Sequence, residues 1–134
     1  MVIDTSALLA ILLDEPERRR FAEAIEADPT RVVSAATLVE CSMVLEARHG
    51  PDGVRDLDLL LARAQISVAS VDIDQAYEAR HAFRSFGRGR HRANLNFGDC
   101  FAYALSRTLG EPLLFKDADF ALTDVTPALP ATAP

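Results

Sequence analysis

"MVIDTSALLAIL", residues 1–12, is the stretch on which the fold turns. Val2 and Ile3 are apolar and β-prone, while Leu8, Leu9, Ile11, Leu12 and Leu13 take helical spacing behind Asp4, Thr5 or Ser6 as a cap. A strand therefore runs straight into a helix, with a carboxylate at the junction where the chain enters its core. Such an acid either caps the helix or belongs to a site at the carboxyl end of a strand, where parallel sheets bind their ligands.

Outward from this junction the alternation continues. Pro16 fits the first turn of a second helix reaching about Ala27. "RVVSA" (31–35) reads as a short strand, and residues 35–48 as a helix stopped by Gly50 and Pro51. Residues 54–64 place Leu57, Leu60 and Leu61 along one helical face, "ISVASV" (66–71) is β-prone, and "DQAYEARHAFRSF" (74–86) returns to helical spacing. A glycine- and arginine-rich loop over 87–94 leads to a helix in "LNFGDCFAYALSRTLG" (95–110), a buried strand in "PLLF" (112–115) and a turn or short helix in "KDADF" (116–120). Short apolar strands alternating with helices predict an α/β layered fold with a mainly parallel sheet. The 134 residues suit one domain, expected over 1–126, followed by a proline-rich tail over 127–134 that is expected to fray.

Hydrophobic residues make up 49% and charged residues 25%, the balance of a globular chain and not of a disordered one. No run approaches the roughly 18 apolar residues of a membrane span. No basic stretch precedes the first apolar run, so a cytoplasmic protein without membrane contact is expected, with Cys41 and Cys100 as reduced core thiols. The formal net charge of -6 repels nucleic acid as a whole, yet Arg84, Arg88, Arg90 and Arg92 crowd into "RSFGRGRHR" beside His91 without an intervening acid. Phosphate contacts are set by such local patches, which makes Arg88, Arg90 and Arg92 candidates. Lys116 is a candidate either to meet phosphate or to neutralise the acids around it.

The anomaly of Asp4 recurs. Glu40 interrupts the apolar "AATLVECSMVL", Asp99 stands at the start of a helix, and Asp117 and Asp119 follow "PLLF". Singly, each has a structural explanation: Asp4 caps a helix, Asp99 completes a capping box begun by Asn96, Glu40 lies on a polar stripe, and Asp117 or Asp119 caps a short helix. Jointly they mean something else. Two carboxylates about 4 Å apart repel by roughly 4 kcal/mol at an effective dielectric near 20, so strand ends that gather several of them call for a cation. Oxygen ligands select Mg²⁺ or Mn²⁺ over zinc, and His49, His81 and His91 lack the paired spacing of a zinc site. Carboxylate-held Mg²⁺ suits phosphodiester hydrolysis.

"VIDTSAL", the helical glutamate at position 40, "LNFGDCFAYALS" and "LLFKDADF" together resemble the PIN-domain ribonucleases, most closely the VapC toxins of bacterial toxin–antitoxin pairs, over Met1 to about Val125. The resemblance implies an α/β/α sandwich and a metal-dependent endoribonuclease. It makes Asp4 and Asp99 the principal metal ligands, Glu40 the acid that completes the site and handles water, and Asp117 the fourth acid. Many members carry glycine at the position of Asp117 and keep an aspartate before phenylalanine, here Asp119, so either lines the site. Thr5 and Ser6 support it by donating to the acids or cap the first helix. The implied partners are RNA, a VapB-like antitoxin and a second copy of the chain, with the apolar surfaces of the second helix and of helix 54–64 available for contact. Two other readings compete: a PIN-like module that binds without cleaving, and a receiver-type signalling domain, which would want paired acids after the first strand where this chain has Asp4 alone.

Overall fold

A computed structural model describes residues 1–130. The elements in chain order are β1 (Val2–Ile3), α1 (Thr5–Leu12), α2 (Arg18–Ala27), β2 (Val32–Ser34), α3 (Ala35–His49), α4 (Pro51–Arg63), β3 (Ser67–Ala69), α5 (Ile73–Phe86), α6 (Phe97–Leu109) and β4 (Leu113–Leu114). A 3₁₀ turn, Ala118–Leu122, follows β4.

The four strands form one parallel sheet in the order β3-β2-β1-β4. Successive strand residues point to opposite faces, and the core divides accordingly. Ile3, Val33 and Leu114 pack with Leu8, Phe21, Ile25, Cys41, Leu45 and Leu57 of α1 to α4. Val2, Val32 and Leu113 pack with Ala79 and Ala82 of α5 and with Cys100, Tyr103 and Leu105 of α6. Helices thus cover both faces, giving the expected three-layer α/β/α sandwich.

Strand β1 carries the topology that matters for a site. The chain leaves it toward β2 and β3 on one side and returns on the other as β4. Such a reversal opens a crevice beyond the strands' carboxyl ends, and Asp4 is the residue that follows β1 there. Its amide extends the ladder by donating to the Leu114 carbonyl at 2.9 Å.

Three local expectations are corrected. Helix α4 begins at Pro51 and not near Val54, because Gly50 (φ 65°, ψ -153°) ends α3 and turns the chain so that proline takes the first helical position. Helix α2 begins at Arg18, with Pro16 lying ahead of it. The segment expected to fray runs beside β4 instead: Leu113 N–H donates to Thr126 O, Ala128 N–H to Leu113 O, and Arg20 Nη2 to Pro130 O. The remainder of the expected tail, 131–134, lies outside the described residues. No described helix is long and apolar enough to cross a membrane.

Candidate active site

The acids at this edge of the sheet stand at or near helix starts. Asp4 is the N-cap of α1, and its Oδ2 accepts from the Ser6 amide at 3.0 Å and the Ser6 hydroxyl at 2.7 Å. Because both donors use one oxygen, the carboxylate is held in a fixed orientation. The same Ser6 Oγ accepts from the Lys116 amide at 3.0 Å, tying the loop that carries Asp117 to the carboxylate of Asp4. Asp99 is the third residue of α6 and half of a capping box: its amide donates to Asn96 Oδ1 at 2.9 Å, and its Oδ2 accepts from the Asn96 amide at 3.0 Å. Glu40, in the second turn of α3, accepts from Thr5 Oγ1 at 2.5 Å. Asp117 is the N-cap position of the 3₁₀ turn, and Asp119 lies within its first turn.

Capping thus accounts for the placement of Asp4 and Asp99 at helix starts. A cap directs a carboxylate at the amide dipoles of a helix end, and in this topology those ends meet at one edge of the sheet.

Electrostatics show that the acids feel one another. Burial pushes the carboxyl of Asp4, which is only 3% exposed, up to about 7; the two Ser6 hydrogen bonds oppose the rise, and the charges of Asp99 and Glu40 add to it. Burial likewise pushes Asp99 up to about 6 against the Asn96 amide, with Glu40, Asp119 and Asp117 adding in that order. Asp119 thus weighs on Asp99 more than Asp117 does. Among the described residues no three carboxylates, thiols or imidazoles stand close enough to hold an ion as placed, so the acids share a field without converging on one point.

The donor chemistry suits a hard divalent cation. Cys41 is the sequence neighbour of Glu40 and Cys100 of Asp99, but burial pushes their thiols up to about 12 and about 11, with the acids adding, so neither supplies a thiolate at neutral pH. Only carboxylate oxygens remain.

The cations are placed unevenly. Lys116, a candidate either to meet phosphate or to neutralise the acids around it, directs its ammonium to Glu15 and, at 3.7 Å, to Glu17, and the charge of Asp117 also acts on it. Arg90 stacks over Phe83 at 5.3 Å and shares a hollow with Tyr77, Arg80, His81 and Arg84, while Arg88 and Arg92 are exposed on the loop before α6. His91 closes that loop, its ring edge-on to Phe86 and its Nδ1 accepting from Ala93 N–H at 3.0 Å. Sequence reasoning passed over Gly98, which faces Glu40. Its only signal was a glycine inside a helical pattern.

Comparison with known proteins decides the family. The PIN domain model matches residues 1–125. The chain belongs to the PIN-domain family. It is 55% identical over 131 residues to ribonuclease VapC30 of Mycobacterium tuberculosis, covering 97% of this chain and all of that protein. It is 54% identical over 125 residues to ribonuclease VapC of Mycolicibacterium smegmatis, covering 93% of this chain and 97% of that one. These matches put it in the VapC branch of PIN domains. The solved structure of Mycobacterium tuberculosis VapC20, described as a sarcin-ricin loop cleaving toxin, superposes with a TM-score of 0.75 over 93% of this chain and 95% of its own, at 17% identity. That likeness establishes the shared fold. Membership of the PIN family removes the receiver-type reading.

Proposed function

We propose that this VapC-type PIN domain is a Mg²⁺-dependent endoribonuclease, with Mn²⁺ able to substitute, acting in the cytoplasm as the toxin of a toxin–antitoxin pair. The observation that carries the reading is the gathering of acids from different elements at the carboxyl edge of the sheet, where Asp4 and Asp99 are both raised chiefly by burial, with Glu40 adding to each and Asp99 adding to Asp4. Crowding of this kind is relieved by a divalent cation. Asp4 and Asp99 are its principal ligands, Glu40 completes the set, and Asp117 is the fourth acid with Asp119 beside it. When bound, the ion supplies polarisation of a phosphate oxygen and acidification of a water.

The remaining work falls to the chain. Ser6 occupies Oδ2 of Asp4, and no hydrogen bond among the described residues engages Oδ1. Thr5 orients Glu40, whose carboxylate takes a proton from the attacking water. Arg88, Arg90 and Arg92 bind backbone phosphates and position the RNA without reading its sequence. Lys116, held by Glu15 and Glu17, contributes mainly by anchoring the Asp117 loop, with phosphate contact secondary.

Two protein partners belong to the same proposal. A groove lined by Ala22 and Ile25 of α2, Leu60 of α4 and Ala64 just past its end, with Glu26, Arg31 and Arg63 alongside, seats an apolar segment of a VapB-like antitoxin. A second copy covers a further set of exposed apolar residues: Val39 and Met43 of α3, 57% and 67% exposed, and Phe97, 80% exposed, which lines a hollow with Phe83 and Phe101.

Cleavage of a labelled RNA with Mg²⁺, and with chelator, tests the activity. Asp4→Asn and Asp99→Asn are each expected to reduce cleavage at least about a hundredfold, the scale of losing an electrostatic catalytic group. RNA binding without cleavage by the unmodified protein would favour the non-cleaving module, and full activity in both variants would refute the site.

A further inference from the structure

Helix α6 opens with a glycine at its second position, where alanine is the better helix former. Gly98 does not have a left-handed backbone that would require glycine; only Gly50, Gly89 and Gly110 among the described glycines do. What a side chain there would meet is Glu40. A Cβ built on Gly98 would fall within the Glu40 carboxylate, with Oε2, Cδ and Oε1 as its nearest atoms. On the other side, Thr5 Oγ1 donates to Oε1 of the same carboxylate at 2.5 Å. Glu40 is thus fixed by a donor at one oxygen and by a vacancy at the other, and the vacancy adjoins Asp99 in the chain.

We propose that Gly98 and Thr5 are positioning residues: the missing side chain of Gly98 is a slot for the Glu40 carboxylate, and the Thr5 hydroxyl holds it there beside Asp99. The proposal rests on Glu40 belonging to the nuclease site. A long glutamate has several rotamers open to it, and an acid that must meet an ion or a water loses much of its effect when displaced by about 1 Å. A methyl group at position 98 would force such a displacement without disturbing the helix, which should gain from the substitution.

The test compares the full-length protein with Gly98→Ala, Thr5→Val, Thr5→Ser, Glu40→Asp and the double variant Gly98→Ala/Glu40→Asp. Mn²⁺ affinity is measured by titration calorimetry, RNA cleavage under saturating Mn²⁺, and thermal melting in chelator. For Gly98→Ala we expect Mn²⁺ binding weaker by about tenfold and cleavage slower by up to about a hundredfold, with Tm unchanged or raised. Thr5→Val should fall about tenfold in cleavage while Thr5→Ser, which keeps the hydroxyl, stays near the unmodified protein. Aspartate is shorter by one methylene and fits beside the new methyl, so Glu40→Asp should cost less in the Gly98→Ala background than alone, a coupling that a purely structural glycine would not produce.

Unchanged Mn²⁺ affinity and cleavage in Gly98→Ala would overturn the proposal. So would additive losses in the double variant, or a drop in Tm that Glu40→Asp does not relieve, which would assign Gly98 to packing. A protein that binds Mn²⁺ but does not cleave RNA would sink the nuclease reading while leaving the positioning role to be judged on Mn²⁺ affinity alone.

Discussion

Asp4 has its carboxyl raised to about 7 from an ordinary 3.8. Between those values the folded protein holds a proton that the unfolded chain has released. By linkage, stability must then fall as pH rises through that window and level off above about 7, with Asp99, raised to about 6, adding in the same direction. In chelator, the Tm should therefore decrease between pH 5 and pH 8. Asp4→Asn should flatten the decrease and stabilise the protein at pH 8 by about 1–3 kcal/mol, while abolishing cleavage. Calorimetric melts across that range check it; a Tm that climbs with pH would contradict the burial of a crowded carboxylate. Ser6→Ala removes a donor to Asp4 and the acceptor for the Lys116 amide, and should lower stability by about 1–2 kcal/mol in urea titrations while slowing cleavage. At this scale the sequence disclosed the acids by type and position, since a carboxylate within an apolar run is visible without coordinates. It could not disclose that Lys116 reaches back to Glu15 and Glu17, or that Gly98 faces Glu40. Both contacts join residues far apart in the chain, and no periodicity encodes them.

At the scale of elements, caps and breakers carried most of the reading. Asn96 and Asp99 close a capping box, and Gly110 ends α6 in a left-handed conformation. At the junction of α3 and α4, Gly50 and Pro51 look in sequence like two stop signals, whereas the glycine ends one helix and the proline opens the next. Gly50 adopts φ 65° and ψ -153°, a region essentially reserved for glycine, and a Cβ there would meet nothing within 4 Å. Gly50→Ala should thus cost about 1–3 kcal/mol through the backbone alone, read as a lower midpoint in urea, with Mn²⁺ affinity unchanged. A neutral outcome would mean that the α3–α4 turn can relax to another conformation. The strands were harder to bound. β1 and β4 have two residues each, and their pairing across β1 depends on contacts more than a hundred residues apart, which alternation of strand and helix implies without fixing their order.

For the whole molecule, the net charge of -6 sets a requirement: an RNA that approaches must be drawn to a local patch. The loop before α6 offers Arg88, Arg90 and Arg92. Replacing all three with glutamine should weaken RNA binding by about tenfold or more and flatten its dependence on salt, because fewer counterions are released, while leaving Mn²⁺ binding intact. Fluorescence anisotropy at several salt concentrations measures both quantities, and an unaltered salt slope would place the RNA track elsewhere.

The account stands or falls on whether the carboxylates that follow β1, that lie in α3 and α6, and that follow β4 serve one divalent ion. Crystals grown with Mn²⁺ and recorded at the manganese absorption edge test this most directly. We expect an anomalous peak bonded by oxygens of Asp4 and Asp99, with Glu40 and Asp117 or Asp119 reaching it directly or through water. A map with no peak at that edge of the sheet, from crystals of protein that binds Mn²⁺ in solution, would contradict it.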